Sequence, residues 1–147
     1  MFRSILVGTD GSPTAATAVG EAIALARSLG AELRIVCAYE PVPQARLRAE
    51  SQSAPRDVEW MLGPREDVDA TLGAALEEAA AAGVEAQTFA RQGDPADAIL
   101  DVAEETGADL IIVGNKGMTG AKRFLLGSVP NKVSHHAPCS VLIIRTT

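Results

Sequence analysis

The 147 residues carry 13 Lys and Arg against 19 Asp and Glu, a formal net charge of -6, with 47% apolar and 22% charged residues. That length suits one core of ordinary size, and the apolar share excludes a disordered chain. The acidic balance speaks against general nucleic-acid binding, and no apolar run reaches the length of a membrane helix.

The expectation is therefore a single domain over residues 1–147, cytoplasmic, with neither a nucleic acid nor a membrane as partner. Cys37 and Cys139 sit in or beside apolar runs without metal or redox spacing, so they read as small core residues.

From the first residue onward, strand and helix patterns alternate. Ile5 to Val7 is a short aliphatic run that ends at the turn Gly8-Thr9-Asp10-Gly11. Ser12 followed by Pro13 is a helix start, and Ala15, Val19, Ala22, Ala26 and Leu29 repeat at helical spacing until the stop at Gly30. Leu33 to Ala38 is a second strand.

Between about 40 and 65 the prolines Pro41, Pro43, Pro55 and Pro64 and weak periodicity predict a mobile flap, with Trp60, Met61 and Leu62 as its anchor to the core. Val68, Leu72, Ala75, Leu76 and Ala79 mark a second helix closed by Gly83. Val84 to Arg91 alternates polar with small or apolar residues, as an exposed edge strand does.

Asp94 and Pro95 start a third helix with Ala96, Ile99, Leu100 and Ala103 on its apolar stripe and Gly107 at its end. Leu110 to Val113 is unbroken aliphatic sequence, the pattern of a parallel strand covered on both faces. A glycine-rich loop, a short helix after Ser128 and a last strand from Ser140 to Arg145 complete the order. This alternation predicts an α/β fold with a five-stranded parallel sheet and helices on both faces, and directs attention to the carboxyl ends of the strands.

Two features lie at those ends: the turn Gly8-Thr9-Asp10-Gly11, and the spacing Gly114-x-x-Gly117, nine residues, Gly127-Ser128. Glycines let backbone N–H groups approach and cradle phosphate oxygens, and a helix N-terminus bearing a Ser hydroxyl attracts anions. Beyond Asp109 the chain has no acid, while Lys116, Lys122, Arg123, Lys132 and Arg145 follow, so this segment is suited to meet an anion. Asp10 has two readings, a turn carboxylate bonded to nearby amides or an acceptor for ribose hydroxyls.

With these residues in view, the whole chain resembles the universal stress protein family, whose nucleotide-binding members carry a GxxG, nine-residue, G[ST] signature matched by Gly114, Gly117, Gly127 and Ser128. The runs Val7 to Ser12 and Gly127-Ser128-Val129 are also similar to that family. The resemblance implies a Rossmann-like, adenine nucleotide alpha hydrolase-like fold, with the signature on the phosphates and ribose. It further implies nucleotide contact at Gly8, Thr9 and Asp10, adenine read by backbone at Ala38, and Val129 beside the phosphates. Where family members often carry Ser or Thr after Gly-Ser-Val, this chain has Pro130 and then Asn131, and Asn131 is kept as a candidate contact.

The implied ligand is ATP, ADP, AMP or cyclic AMP, with Mg2+ accompanying the phosphates, and the implied assembly is a homodimer through the C-terminal strand. The leading reading is a regulatory binding module that passes nucleotide state to a downstream protein. A slow ATPase and a nucleotide-free interaction protein are the alternatives. His135 and His136 are adjacent and diverge on a helix by about 100°, and neither a Walker loop nor GxGxxG is present, so no catalytic base or metal site is assigned. Arg91, Gln92 and Gly93, where its Asp would stand, speak against a phosphoacceptor receiver domain.

Overall fold

The computed structural model describes residues 1–39, 63–115 and 126–146. Among them, strands β1 (Ser4–Gly8), β2 (Glu32–Tyr39), β3 (Ala86–Gln92), β4 (Leu110–Gly114) and β5 (Ser140–Ile144) alternate with helices α1 (Pro13–Leu29), α2 (Gly63–Ala81), α3 (Pro95–Thr106) and α4 (Ser128–His136). The expected flap and its cluster at Trp60, Met61 and Leu62 lie outside the described residues up to position 62, while Gly63 and Pro64 already belong to α2.

Helices α1 and α3 are punctuated in the same way. Ser12 accepts a hydrogen bond from the N–H of Ala15 and Asp94 from that of Asp97. Proline follows each cap, and Gly30 and Gly107 close the helices at φ 64° and 66°, the left-handed region that glycine enters without a side-chain clash. At the end of α2, Gly83 takes φ 78° and the N–H of Val84 bonds back to the carbonyl of Ala79. Val84 is therefore part of the helix stop, and β3 opens two positions later than its apolar side chain predicts.

All strand pairs are parallel, in the order β3-β2-β1-β4-β5. The chain winds outward from β1 through β2 to β3, then crosses to β4 on the other side of β1, and this reversal places the later helices on the opposite face. Alternate strand residues accordingly feed two cores. Ile5, Val7, Leu33, Ile35, Leu110 and Ile112 pack under α1 and α2, while Leu6, Val36, Ile111 and Val113 pack under α3 and α4. The expected five-stranded parallel sheet with helices on both faces is what the chain forms.

Burial follows position in the sheet. From Leu110 to Val113 every residue of β4 is buried, whereas the edge strand β3 keeps Gln87 and Thr88 exposed. Edge strand β5 leaves Leu142 39% exposed. Cys37 is buried and Cys139 half-buried, both as free thiols, and His135 and His136 stand exposed at the end of α4. Leu76 departs from its apolar pattern and is exposed at the rim of α2.

Candidate functional site

Parallel winding brings the ends of β1, β2 and β4 and the first turns of α1, α3 and α4 to one rim, where they enclose a pocket of 230 Å³. Gly8, Thr9 and Asp10 enter it from β1, Val36 and Ala38 from β2, and Val113 and Gly114 from β4. The helices contribute Ala15, then Asp94 and Pro95, then Ser128, Val129 and Pro130, with Ile99 as part of the wall.

Of its two readings, Asp10 takes the turn role in the structure. Its Oδ1 accepts the N–H of Ser12 at 2.8 Å, closing a short turn before α1. The second oxygen remains for a hydroxyl donor in the pocket. Behind it lies Cys37, whose thiol is pushed up to about 11 by burial and by the negative charge of Asp10. The turn is tightly packed. Gly11 takes φ +81°, and a Cβ there would stand 2.8 Å from Oγ1 of Thr71 on α2.

At Gly8 the missing side chain serves packing, because a Cβ would meet Cδ1 of Ile99 at 2.6 Å. Gly8 thus lets α3 close over β1 and brings Ile99 to the pocket wall.

Two glycines of the GxxG and GS signature lie among the described residues, at the end of β4 and at the entry of α4. Gly114 ends β4 in extended pairing with Ile144, and Gly127 caps α4 at φ -61°, ψ 162°. Neither conformation demands glycine. The N–H of Gly127 is moreover consumed by the carbonyl of Asn115 at 3.0 Å. The donors at the start of α4 are instead the first-turn amides of Ser128 and Val129, which have no acceptor inside the helix, and the Ser128 hydroxyl. Proline at position 130 supplies none.

Of the remaining sequence candidates, Asn131 points its N–H to the carbonyl of Gly127 and does not line the pocket. Gly117 lies outside the described residues, as do Lys116, Lys122 and Arg123. Lys132 is engaged elsewhere: its Nζ is 2.8 Å from Asp97 and 3.6 Å from Asp94, tying α4 to the first turn of α3. The hydrogen bond that the ammonium donates to Asp97 raises its pKa.

Asp94 is the polar lining residue that sequence reasoning took only for a helix cap. The available signal was its place, since a cap that follows the strand beside β2 must reach the same rim. The apolar lining from Val36, Ile99 and Val113 was legible only as core. Chemically, the arrangement offers an apolar slot lined by two carboxylates and a helix N-terminus. This suits a flat apolar group that bears hydroxyls and an anionic end.

Comparison with known proteins gives four findings. The model of the universal stress protein family matches residues 1–145. Universal stress protein YxiE of Bacillus subtilis is 38% identical over 99% of this chain and 100% of its own length. Among solved structures, a universal stress protein in complex with cAMP has a TM-score of 0.73 at 33% identity, covering 99% of this chain and 98% of that one. The universal stress protein UspA from Lactobacillus plantarum has a TM-score of 0.81 at 26% identity, covering 98% of each chain.

Proposed function

The chain belongs to the universal stress protein family, and from that premise we propose that it is an adenine-nucleotide-binding regulatory module: one domain, cytoplasmic and homodimeric. The observation that carries this reading is the convergence of Asp10, Ala38 and the start of α4 on one pocket at the carboxyl ends of the strands. Ala38 and the apolar wall suit the base, the free oxygen of Asp10 suits the ribose hydroxyls, and the Ser128 and Val129 amides suit a phosphate. The similarity to a protein solved with cAMP supports the same ligand class. Nucleotide state would then alter the surface offered to a downstream protein, with no turnover required.

Mass spectrometry of small molecules released by denaturing the purified protein tests the reading first, and an adenine nucleotide is expected. Calorimetric titration of the stripped protein with ATP, ADP, AMP and cyclic AMP, with and without Mg2+, tests it independently. Failure of all four at millimolar concentration would sink it and favour the nucleotide-free interaction protein.

The homodimer rests on β5, an edge strand whose Leu142 is exposed beside the half-buried Val141, Ile143 and Ile144. Placing Asp at Leu142 and Lys at Ile144 is expected to give monomer, or insoluble protein, by size-exclusion chromatography with light scattering. A soluble variant that stays dimeric would rule out β5 as the interface.

A further inference from the structure

Asn115, the residue after β4, stands outside the pocket yet joins three elements at its rim. Its N–H donates to the carbonyl of Ile144 at 2.9 Å, and its own carbonyl accepts the N–H of Gly127 at 3.0 Å. Its side-chain Oδ1 accepts both the N–H and the hydroxyl of Thr146, at 2.8 and 2.9 Å. A backbone N–H only donates, so the amide oxygen must be the atom that faces Thr146. One residue thus binds the end of β5, the segment beyond it and the N-cap of α4.

The consequence for α4 follows from its cap. Gly127 has no side chain, so α4 lacks the side-chain acceptor that Ser12 gives α1 and Asp94 gives α3. The Asn115 carbonyl holds the helix entry instead, and its direction is fixed because the residue is bonded to β5 and its continuation through both main chain and side chain.

We propose that Asn115 is the positioning residue for the phosphate end of the site, with Thr146 as its anchor; this rests on the nucleotide reading above. Removing the side chain leaves the donors of Thr146 unmatched and frees the peptide that orients Gly127. The amides of Ser128 and Val129 then lose their fixed place relative to Asp10 and Ala38, so the phosphate is held less well while the adenosine part is held as before.

The test titrates stripped full-length protein with cyclic AMP and with adenosine, read by ligand-observed NMR, for wild type, N115A, T146P and T146S. Thr146 follows β5 and does not line the pocket, so T146P removes the anchor even where N115A fails to fold. Cyclic AMP affinity should fall about tenfold in N115A and T146P, adenosine affinity should stay within about twofold, and T146S should behave as wild type. Equal losses for both ligands, or no loss for either, would overturn the positioning role. Wild type that binds neither ligand would overturn the nucleotide reading, and this inference with it.

Discussion

The two ends of the sheet differ in a way that cavity size does not convey. At the amino ends of β2 and β3 a cavity of 650 Å³ opens against the end of α2, while the pocket at the carboxyl ends measures 230 Å³. In the larger cavity the guanidinium of the lining is already engaged. Arg34 donates to Ser4, to Glu32 and to Gln87, and its side chain is only 16% exposed. The smaller pocket gathers first-turn amides of α4 and a carboxylate oxygen that have no partner among the described residues. Chain direction makes the difference, because in a parallel α/β sheet every helix begins where a strand ends its course.

The strongest way to break this comparison is to fill the smaller pocket. Ala38→Phe adds a ring to the lining at a half-buried position, where the fold has room to adjust outward. Nucleotide affinity is expected to fall about a hundredfold, the size of an overpacking penalty, with secondary structure by circular dichroism unchanged. Wild-type affinity in this variant would move the base elsewhere.

Asp10→Ala should have the next largest effect. It removes the acceptor for the ribose hydroxyls at a cost of about 1.5 to 3 kcal/mol, which calorimetry reads as roughly tenfold or more. It also opens the turn to Ser12, so Asp10→Asn, which retains one acceptor, should recover part of the loss. Equal losses in the two variants would mean that the charge, and not hydrogen bonding, is what the ligand meets.

Arg34→Met sharpens the contrast from the opposite end. It strips the amino-end network of its hub, and thermal unfolding should shift down by about 3 °C. Nucleotide affinity should stay within about twofold. A tenfold loss of binding would show that the two ends are not independent.

Legibility in the sequence divides along the same physical line. Helix limits set by Ser12-Pro13, Gly30, Asp94-Pro95 and Gly107 were readable because caps act through the nearest few residues. The buried run of β4 was readable because a doubly covered strand needs no polar face. The start of β3 was misjudged, since Val84 is apolar for the sake of the turn after α2. Asp10 and Ser128, which line the pocket, were reachable from strand ends and motif spacing, and Ala38 only through the family resemblance. The engagement of Lys132 by Asp94 and Asp97 was not, because it depends on how α3 and α4 pack. The same holds for the loss of Gly127's N–H to Asn115 and for Ile99 filling the space at Gly8.

A stability effect of the same size, but dependent on acid, is expected at the amino end. Asp109 precedes β4 and accepts the N–H of Arg3 on Oδ2 at 2.9 Å and that of Ser4 on Oδ1 at 3.0 Å, clamping the start of β1. Desolvation pushes its carboxyl up, but the N–H groups of Arg3, Ser4 and Asp109 itself, with the amino terminus, outweigh it and hold the pKa below the usual carboxylate value. A carboxylate depressed in the folded state stabilises the protein above its unfolded pKa, and that contribution is lost as pH falls through the folded value. The loss should therefore begin near pH ~4 and grow below it. Asp109→Asn keeps one acceptor and turns an N–H2 toward the other donor, so at neutral pH it should melt lower by about 3 °C. The gap between wild type and variant should close as the solution is acidified, because protonated Asp109 is no better an acceptor than the amide. Nucleotide affinity at neutral pH should not change. A gap that persists undiminished down to pH ~2.5, below the ordinary carboxylate range, would show that the clamp does not depend on the charge. A fall in affinity would join this end of the sheet to the pocket at the other.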